Sequence, residues 1–185
     1  MQGLNNNTYQ TLEEFWAHPP NIKDYALEKL LAQGGRAFVY LYIKDSVLYT
    51  VKIESNALMN RYLLNESLML KEITKGDCPC FPGYCLHGLL IATINGKEQG
   101  FQYCIMDYLK HPLTFPDDSL EISVSLMVKM LHSLQTLHGK GYIHRDLKPT
   151  HFRFKEDSEV RLLSFAVVRK YLNASGEHIA HREKC

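Results

Sequence analysis

No stretch of the chain approaches the ~18 consecutive apolar residues of a helical membrane span, so no such span is expected. The opening residues, MQGLNNNTYQTLEEF, hold neither a basic segment nor an apolar one, and no secretory signal is expected. Without secretion, the Asn-x-Ser/Thr triplets at Asn6, Asn65 and Asn173 carry no glycan. An excess of one charge is missing too. Basic residues number 21 and acidic residues 20, for a net charge of +1. That removes the bulk electrostatic attraction expected of a nucleic-acid or membrane-surface binder. A cytoplasmic or nuclear setting is the expectation. Cysteines number five, and an odd count argues against a disulfide framework. Cys78, Cys80, Cys85 and His87 do cluster, as C-x-C-x4-C-x-H. The cluster lacks a C-x2-C pair and is interrupted by Pro79 and Pro82, so reduced, partly buried thiols are expected rather than a zinc centre. Internal repeats and low-complexity tracts are absent.

What is present is a globular composition, 45% hydrophobic and 22% charged over 185 residues. Residues 1–22 are polar and end in Pro19-Pro20, which reads as a leader with a short helix over Leu12–Ala17. Tyr25–Leu31 opens an alternating region. Ala37–Ile43 is rich in β-branched and aromatic residues and reads as a strand. Asp45-Ser46 marks a turn before a second strand, Val47–Glu54. Over Ala57–Lys75 the period changes: Leu58, Tyr62, Leu63, Glu66, Met69, Leu70 and Ile73 recur at helical spacing. Leu86–Ile94 and Phe101–Tyr108 read as strands joined across Asn95-Gly96-Lys97. A proline-containing linker, 109–118, precedes a long helix reaching about His138, with Asp117 or Asp118 as its cap. Strands, helix, strands, linker, long helix, loop and short strands make an α+β class, an antiparallel sheet with one packed helix followed by a helical part.

Several motifs fall on these elements. Leu31–Tyr40 contains Gly34-Gly35 between the first two strands, where a loop backbone can approach phosphate. Lys52 lies on the strand Val47–Glu54, and Glu66 sits on the following helix. The strongest signal is His144-Arg-Asp-Leu-Lys-Pro149, after the long helix and the apolar turn Gly141-Tyr-Ile143. In this pattern Asp146 can accept a hydroxyl proton and Lys148 can neutralise a transferring phosphoryl group.

These residues resemble a protein kinase domain, and specifically the casein kinase I / tau-tubulin kinase group. The stretch GYIHRDLKPTHFRF, Gly141–Phe154, is similar to that group's catalytic loop. Leu162–Tyr171 resembles its metal-binding segment, and Asn173–Gly176 the start of its activation segment. Lys52–Ser55 and Tyr103–Leu109 fit as well. The resemblance spans roughly residues 24–185 and implies ATP as ligand. Gly34, Lys52 and Glu66 would serve the phosphates. Met106 falls at the gatekeeper position, and Asp107, Tyr108 and Leu109 at the hinge that meets adenine. It implies three regions: leader 1–22, amino-terminal lobe 23–108, and partial carboxy-terminal lobe 109–185.

The departures from the family fall on one function. His151 stands where the resemblance calls for a magnesium-binding asparagine, and Ser164 where it calls for the magnesium-binding aspartate. Magnesium prefers hard oxygen ligands, whereas imidazole suits softer metals. Ala32 and Ala37 replace loop glycines, and Ala166 replaces a glycine expected to ease the turn after Ser164. The lobe-linking residues Leu70, His144 and Phe165 are retained. The reading is a pseudokinase scaffold or regulator with weak or no ATP binding and no competent magnesium site. A serine/threonine kinase of low activity and a non-functional kinase fragment are the alternatives. The chain ends at Cys185 inside the segment that resembles the activation segment. The apolar stripe of the 119–138 helix is therefore expected to be exposed and to meet a protein partner or a second copy. The basic residues Arg169, Lys170, Arg182 and Lys184 point to an acidic or phosphorylated peptide, and neither nucleic acid nor membrane is expected.

Overall fold

The protein is described from a computed structural model covering residues 7–35, 37–56, 62–76, 78–112, 120–154 and 159–180. In chain order the elements are β1 (Thr8–Tyr9), α1 (Leu12–Ala17), β2 (Ala26–Gln33), β3 (Phe38–Lys44), β4 (Val47–Ser55), α2 (Tyr62–Ile73), β5 (Tyr84–Ile94) and β6 (Lys97–Asp107). They continue with β7 (His111–Pro112), α3 (Leu120–Gly139), β8 (Tyr142–Ile143), a 3-10 turn (Pro149–His151), β9 (Phe152–Phe154), β10 (Val160–Leu162) and β11 (Arg169–Lys170). The chain divides into two units, one of Met1–Ser67 with Gly83–Tyr108, the other of Leu68–Pro82 with Leu109–Cys185.

The first unit is a six-stranded sheet in the order β1-β5-β6-β4-β3-β2. All pairings are antiparallel except β1, which lies parallel to β5 through Thr8↔Thr93 and Tyr9↔Ile94. The turns follow the sequence signals. Asp45 and Ser46 adopt φ of 49° and 63°, and Asn95-Gly96 adopts 47° and 72°. Such left-handed pairs match the twist of two-residue hairpins. Alternate residues of β3, β4 and β6 point inward, so Tyr40, Tyr42, Val51, Ile53, Phe101 and Ile105 are wholly buried.

Residues 7–22, the described part of the segment 1–22 read from sequence as a polar leader, are built into this unit. The capping pattern Thr11-x-x-Glu14 starts α1. The Thr11 hydroxyl accepts from Glu14 N–H at 3.1 Å, and the Glu14 carboxylate accepts from Gln10 N–H at 2.7 Å. Phe15 is fully buried and stacks on Phe101 with ring centroids 3.9 Å apart. Trp16 stacks on Phe38 at 4.3 Å. The Tyr40 and Tyr42 hydroxyls donate to the carbonyls of Trp16 and Pro20 at 2.7 and 2.9 Å. Burial holds both phenols well above the ordinary tyrosine range. A polar-looking segment thus closes the sheet's core with two aromatic side chains.

Helix α2 shows the expected period. Leu63, Glu66, Ser67, Leu70 and Ile73 are buried, and Leu68 between them is half exposed. The start of the sequence-predicted helix, 57–61, lies outside the described residues. The buried Glu54 carboxylate accepts from Leu63 N–H in the first turn of the described helix at 2.7 Å.

In the second unit, α3 buries Leu126, Ser133 and Leu137. The Ser133 hydroxyl reaches the Val160 carbonyl of β10 at 3.2 Å. The candidate caps Asp117 and Asp118 fall outside the described residues. Small sheets β10-β9-β7 and β11-β8 complete the unit. Arg161 is buried and donates to the Phe81 carbonyl at 3.1 Å, and Leu162 N–H reaches Cys80 O at 2.9 Å. No described helix is long and apolar enough to cross a membrane.

Candidate functional site

Two sets of residues with chemical potential form, one in each unit. In the first unit, Lys52 sits mid-strand on β4, paired with Val39 on one side and Cys104 on the other. Its ammonium meets Glu66 of α2 at 2.6 Å, with only 17% and 5% of the two side chains exposed. The pair that sequence spacing suggested is therefore formed and nearly dry. Cys104 lies on the adjoining strand, where burial pushes its thiol up to about 12. Gly34 closes the β2–β3 turn by donating to the Ala37 carbonyl at 3.0 Å. A Cβ on Gly34 would meet that same oxygen at 3.0 Å, a tight contact that the turn would have to relax to admit. Ala32 of β2 is paired with Val39 of β3. Met106 is 2% exposed near the end of β6. Asp107 follows it, and its carboxylate accepts from Gly83 N–H at 3.0 Å. Tyr108 is half-buried.

The second unit holds Leu109, which is buried, and the segment from His144 to Phe165. His144 is 1% exposed, and its Nε2 bonds the Leu163 carbonyl at 2.9 Å. Leu163 N–H in turn donates to the His151 carbonyl at 2.8 Å. The chain entering Ser164 is thereby clamped to both ends of the loop. Asp146 is half exposed, and Lys148 Nζ stands 3.5 Å from its Oδ2. His151 Nδ1 bonds the backbone carbonyl of Asp146 at 2.8 Å, and its Nε2 lies 4.0 Å from Asp146 Oδ2. Burial, and to a smaller degree Lys148 and His144, lower the pKa of His151 below the ordinary histidine value against the pull of Asp146. The Asp146 carbonyl can only accept, so Nδ1 donates in that contact.

Phe165 is 1% exposed, 5.9 Å from the His144 ring and edge-on to Phe81 at 5.6 Å. Leu70 is fully buried. Arg145 adopts φ 68° and donates to the Val167 carbonyl at 2.6 Å. One expectation needs correcting. Positive φ falls on Ser164, at 68°, and not on Ala166, so the missing glycine does not strain that turn. The strain sits on the serine, in a region that suits Asn or Asp better.

The cysteine–histidine cluster does not act as a unit. Cys78, Cys80 and Cys85 are free thiols, and the His87 ring is engaged with the Tyr84 hydroxyl at 2.7 Å. Among the described residues no group of three or more His, Cys, Asp or Glu gathers to hold a metal. Of the basic quartet, Arg169 and Lys170 are exposed on β11, and Arg182 and Lys184 lie outside the described residues. The capping pattern at Thr11–Glu14 was available in the sequence as the signal that residues before Pro19 are structured.

No protein-family model matches the chain. Curated proteins do. A probable casein kinase I homolog of Encephalitozoon cuniculi is 30% identical over 163 residues, covering 85% of this chain and 50% of the relative. A probable serine/threonine-protein kinase of Dictyostelium discoideum is 32% identical over 172 residues, 86% of this chain and 33% of the relative. The chain is a protein-kinase-like domain. Human serine/threonine-protein kinase greatwall is 25% identical over 164 residues, covering 84% of this chain and 18% of the kinase. The kinase-like chain spans half or less of the length of these relatives. Its α+β architecture, a strand-rich sheet unit and a second unit holding a long helix and short strands, fits a protein-kinase-like fold.

Kinases in general use ATP with magnesium, and the donors here can be tested against that ion. Magnesium demands near-octahedral oxygen ligation, preferably with carboxylate. The two positions supply a neutral serine hydroxyl and an imidazole. The imidazole is moreover turned by its bond to the Asp146 carbonyl. This donor set does not fit magnesium.

Proposed function

We propose that this is a pseudokinase of the casein kinase I / tau-tubulin kinase type, a kinase-like domain used for binding rather than phosphate transfer. The observation that carries the reading is the contrast within the two sets of residues. The Lys52–Glu66 pair is formed at 2.6 Å, and His144 and Phe165 are packed. At the magnesium positions, His151 is committed to the Asp146 backbone and Ser164 carries no charge. Losing one preorganised charge contact in a transition state commonly lowers the rate by about 10²–10³, and loss of the metal should lower it at least as far. ATP binding would be weak and independent of magnesium.

Binding to other proteins would use α3. Its outer face presents Val124, Met127, Val128 and Leu131, each 47–63% exposed. Beside it, Met130, Leu134, Leu147 and Phe152 help line an apolar groove of about 380 Å³. Exposed apolar area of this kind supports a protein partner or a second copy. Arg169 and Lys170 would favour acidic or phosphorylated peptides, and changing both to serine should weaken such binding.

Thermal shift with ATP, with and without magnesium, tests the proposal. A cooperative melt that magnesium-ATP leaves unmoved supports it. Magnesium-dependent stabilisation, with phosphate transfer abolished by Asp146→Ala, would establish instead a low-activity serine/threonine kinase. Absence of any cooperative melt would mark a non-functional fragment.

A further inference from the structure

The stack of Trp16 on Phe38 plays no part in the proposed function. Residues 32–35, which end β2 and enter the turn to β3, are exposed. The ladder between β2 and β3 shifts register between Leu27 and Lys29 and again between Leu30 and Ala32. Interrupted ladders and exposed backbone mark the parts of a fold that open most easily. Within the turn, Gly34 N–H donates to the Ala37 carbonyl at 3.0 Å. β3 begins directly after, at Phe38, and Trp16 grips it at two points. The indole lies flat on the Phe38 ring, with centroids 4.3 Å and planes 5° apart. Two residues further on, on the same face of the strand, the Tyr40 hydroxyl donates to the Trp16 carbonyl at 2.7 Å. Phe101 braces the indole edge-on at 5.2 Å.

We propose that Trp16 is a positioning residue for the β2–β3 turn, through which the amino-terminal segment sets the geometry of that loop. Phe15, the neighbour of Trp16, is fully buried and stacked on Phe101, which anchors α1 to the sheet beside the indole. Phe38 pairs with Gln33 in β2 on one side and with Ile53 in β4 on the other. A ring held over Phe38 therefore limits how far the first residue of β3 can shift, and with it the Gly34–Ala37 hydrogen bond. Stacking fixes the orientation of the two rings as well as their burial. The next residue of β3, Val39, pairs with Lys52, whose ammonium meets Glu66 at 2.6 Å. The anchored start of β3 thus adjoins both the turn and the strand position of that ion pair. That the turn and Lys52 face phosphate rests on the kinase-like reading. The coupling of Trp16 to the turn does not.

Native-state hydrogen exchange of the full chain, read amide by amide, tests the coupling. Trp16→Ala removes the stack and keeps the carbonyl that Tyr40 uses. It should speed exchange at Gly34 by about 2–10-fold, the range expected from loss of one aromatic pair. The amide of Asp107, bonded to the Gly83 carbonyl at the end of β6, should keep its rate. Trp16→Phe keeps a ring on Phe38 and should restore most of the protection, whereas Trp16→Leu should not. Phe38→Leu should reproduce the effect, and the double variant Trp16→Ala/Phe38→Leu should add nothing to it. Metal-free ATP should bind Trp16→Ala about 2–10-fold more weakly than wild type. An unchanged Gly34 rate, an equal rise at Asp107, full rescue by leucine or strictly additive single variants would overturn the coupling. Equal ATP affinity in Trp16→Ala and wild type would overturn the positioning of a nucleotide loop. A wild-type chain that binds no ATP refutes the nucleotide reading instead, and the exchange rates still decide the coupling.

Discussion

Replacing Lys52 by methionine keeps the length of the side chain and removes its charge. Glu66 is then left 4% exposed in α2 with its principal cation gone. Removing one partner of a buried ion pair usually costs about 3–5 kcal/mol, because the remaining charge stays desolvated. Lys52 keeps 17% of its side chain exposed, which places the expected loss at the lower end, about 3 kcal/mol. That is a large share of a domain's total of about 5–15 kcal/mol. For a chain of this size each kcal/mol moves the melting point by about 2–4 °C, so Lys52→Met should lower Tm by about 6–12 °C. The double variant Lys52→Met/Glu66→Leu removes both charges together. Replacing a buried pair by apolar residues is often neutral or better, so the double variant should regain most of that loss. Thermal denaturation followed by circular dichroism, run as a double-mutant cycle, reads both effects. A single variant within about 2 °C of wild type, or a double variant that loses the sum of the two singles, would refute the argument. The result bears on function as well. Loss of either partner alone is costly whether or not the protein transfers phosphate.

Phe15→Ala should destabilise the first unit by about 3–5 kcal/mol, since Phe15 is fully buried against Phe101, whereas a leader packed on nothing would give no change on denaturation. Cys85 and Cys104, whose thiols burial pushes up to about 11 and about 12, should resist iodoacetamide at pH 8 in the folded chain and react on unfolding, as read by mass spectrometry. Their folded pKa values lie above the unfolded value near 8.5–9, so the stability they contribute is complete below about pH 8.5 and is lost as pH rises toward 11–12. Cys104→Ala should therefore show a shallower fall in Tm between pH 8 and 10.5, and parallel curves for the two proteins would contradict this. Ser164→Asn should stabilise the chain by at most about 1 kcal/mol, a rise in Tm of no more than about 2–4 °C, because asparagine suits φ 68° better; a fall would show that the serine hydroxyl has another role.

Much of this protein was determined by its residues in sequence. Alternation in Phe38–Lys44 and Val47–Ser55, and Asn95-Gly96 between two apolar runs, fixed a meander, because strand period and turn chemistry are local. The three-and-four spacing of Leu63, Glu66, Leu70 and Ile73 fixed α2 for the same reason. His144–Pro149 identified the kinase-like loop because so long a match leaves little to chance. Tertiary structure decided what depends on approach between distant residues. Phe15 and Trp16 look like two aromatics in a polar segment until β3 and β6 supply Phe38 and Phe101 beneath them. Ser164 carries the backbone strain that the sequence assigned to Ala166, since a residue letter does not state φ. Cys78, Cys80, Cys85 and His87 are near in sequence, but the three thiols are free and the His87 ring is engaged by the Tyr84 hydroxyl. His151 in sequence is only a lost asparagine. Folded, it is a ring turned by one carbonyl toward one carboxylate, because a hydrogen bond at Nδ1 dictates where Nε2 points.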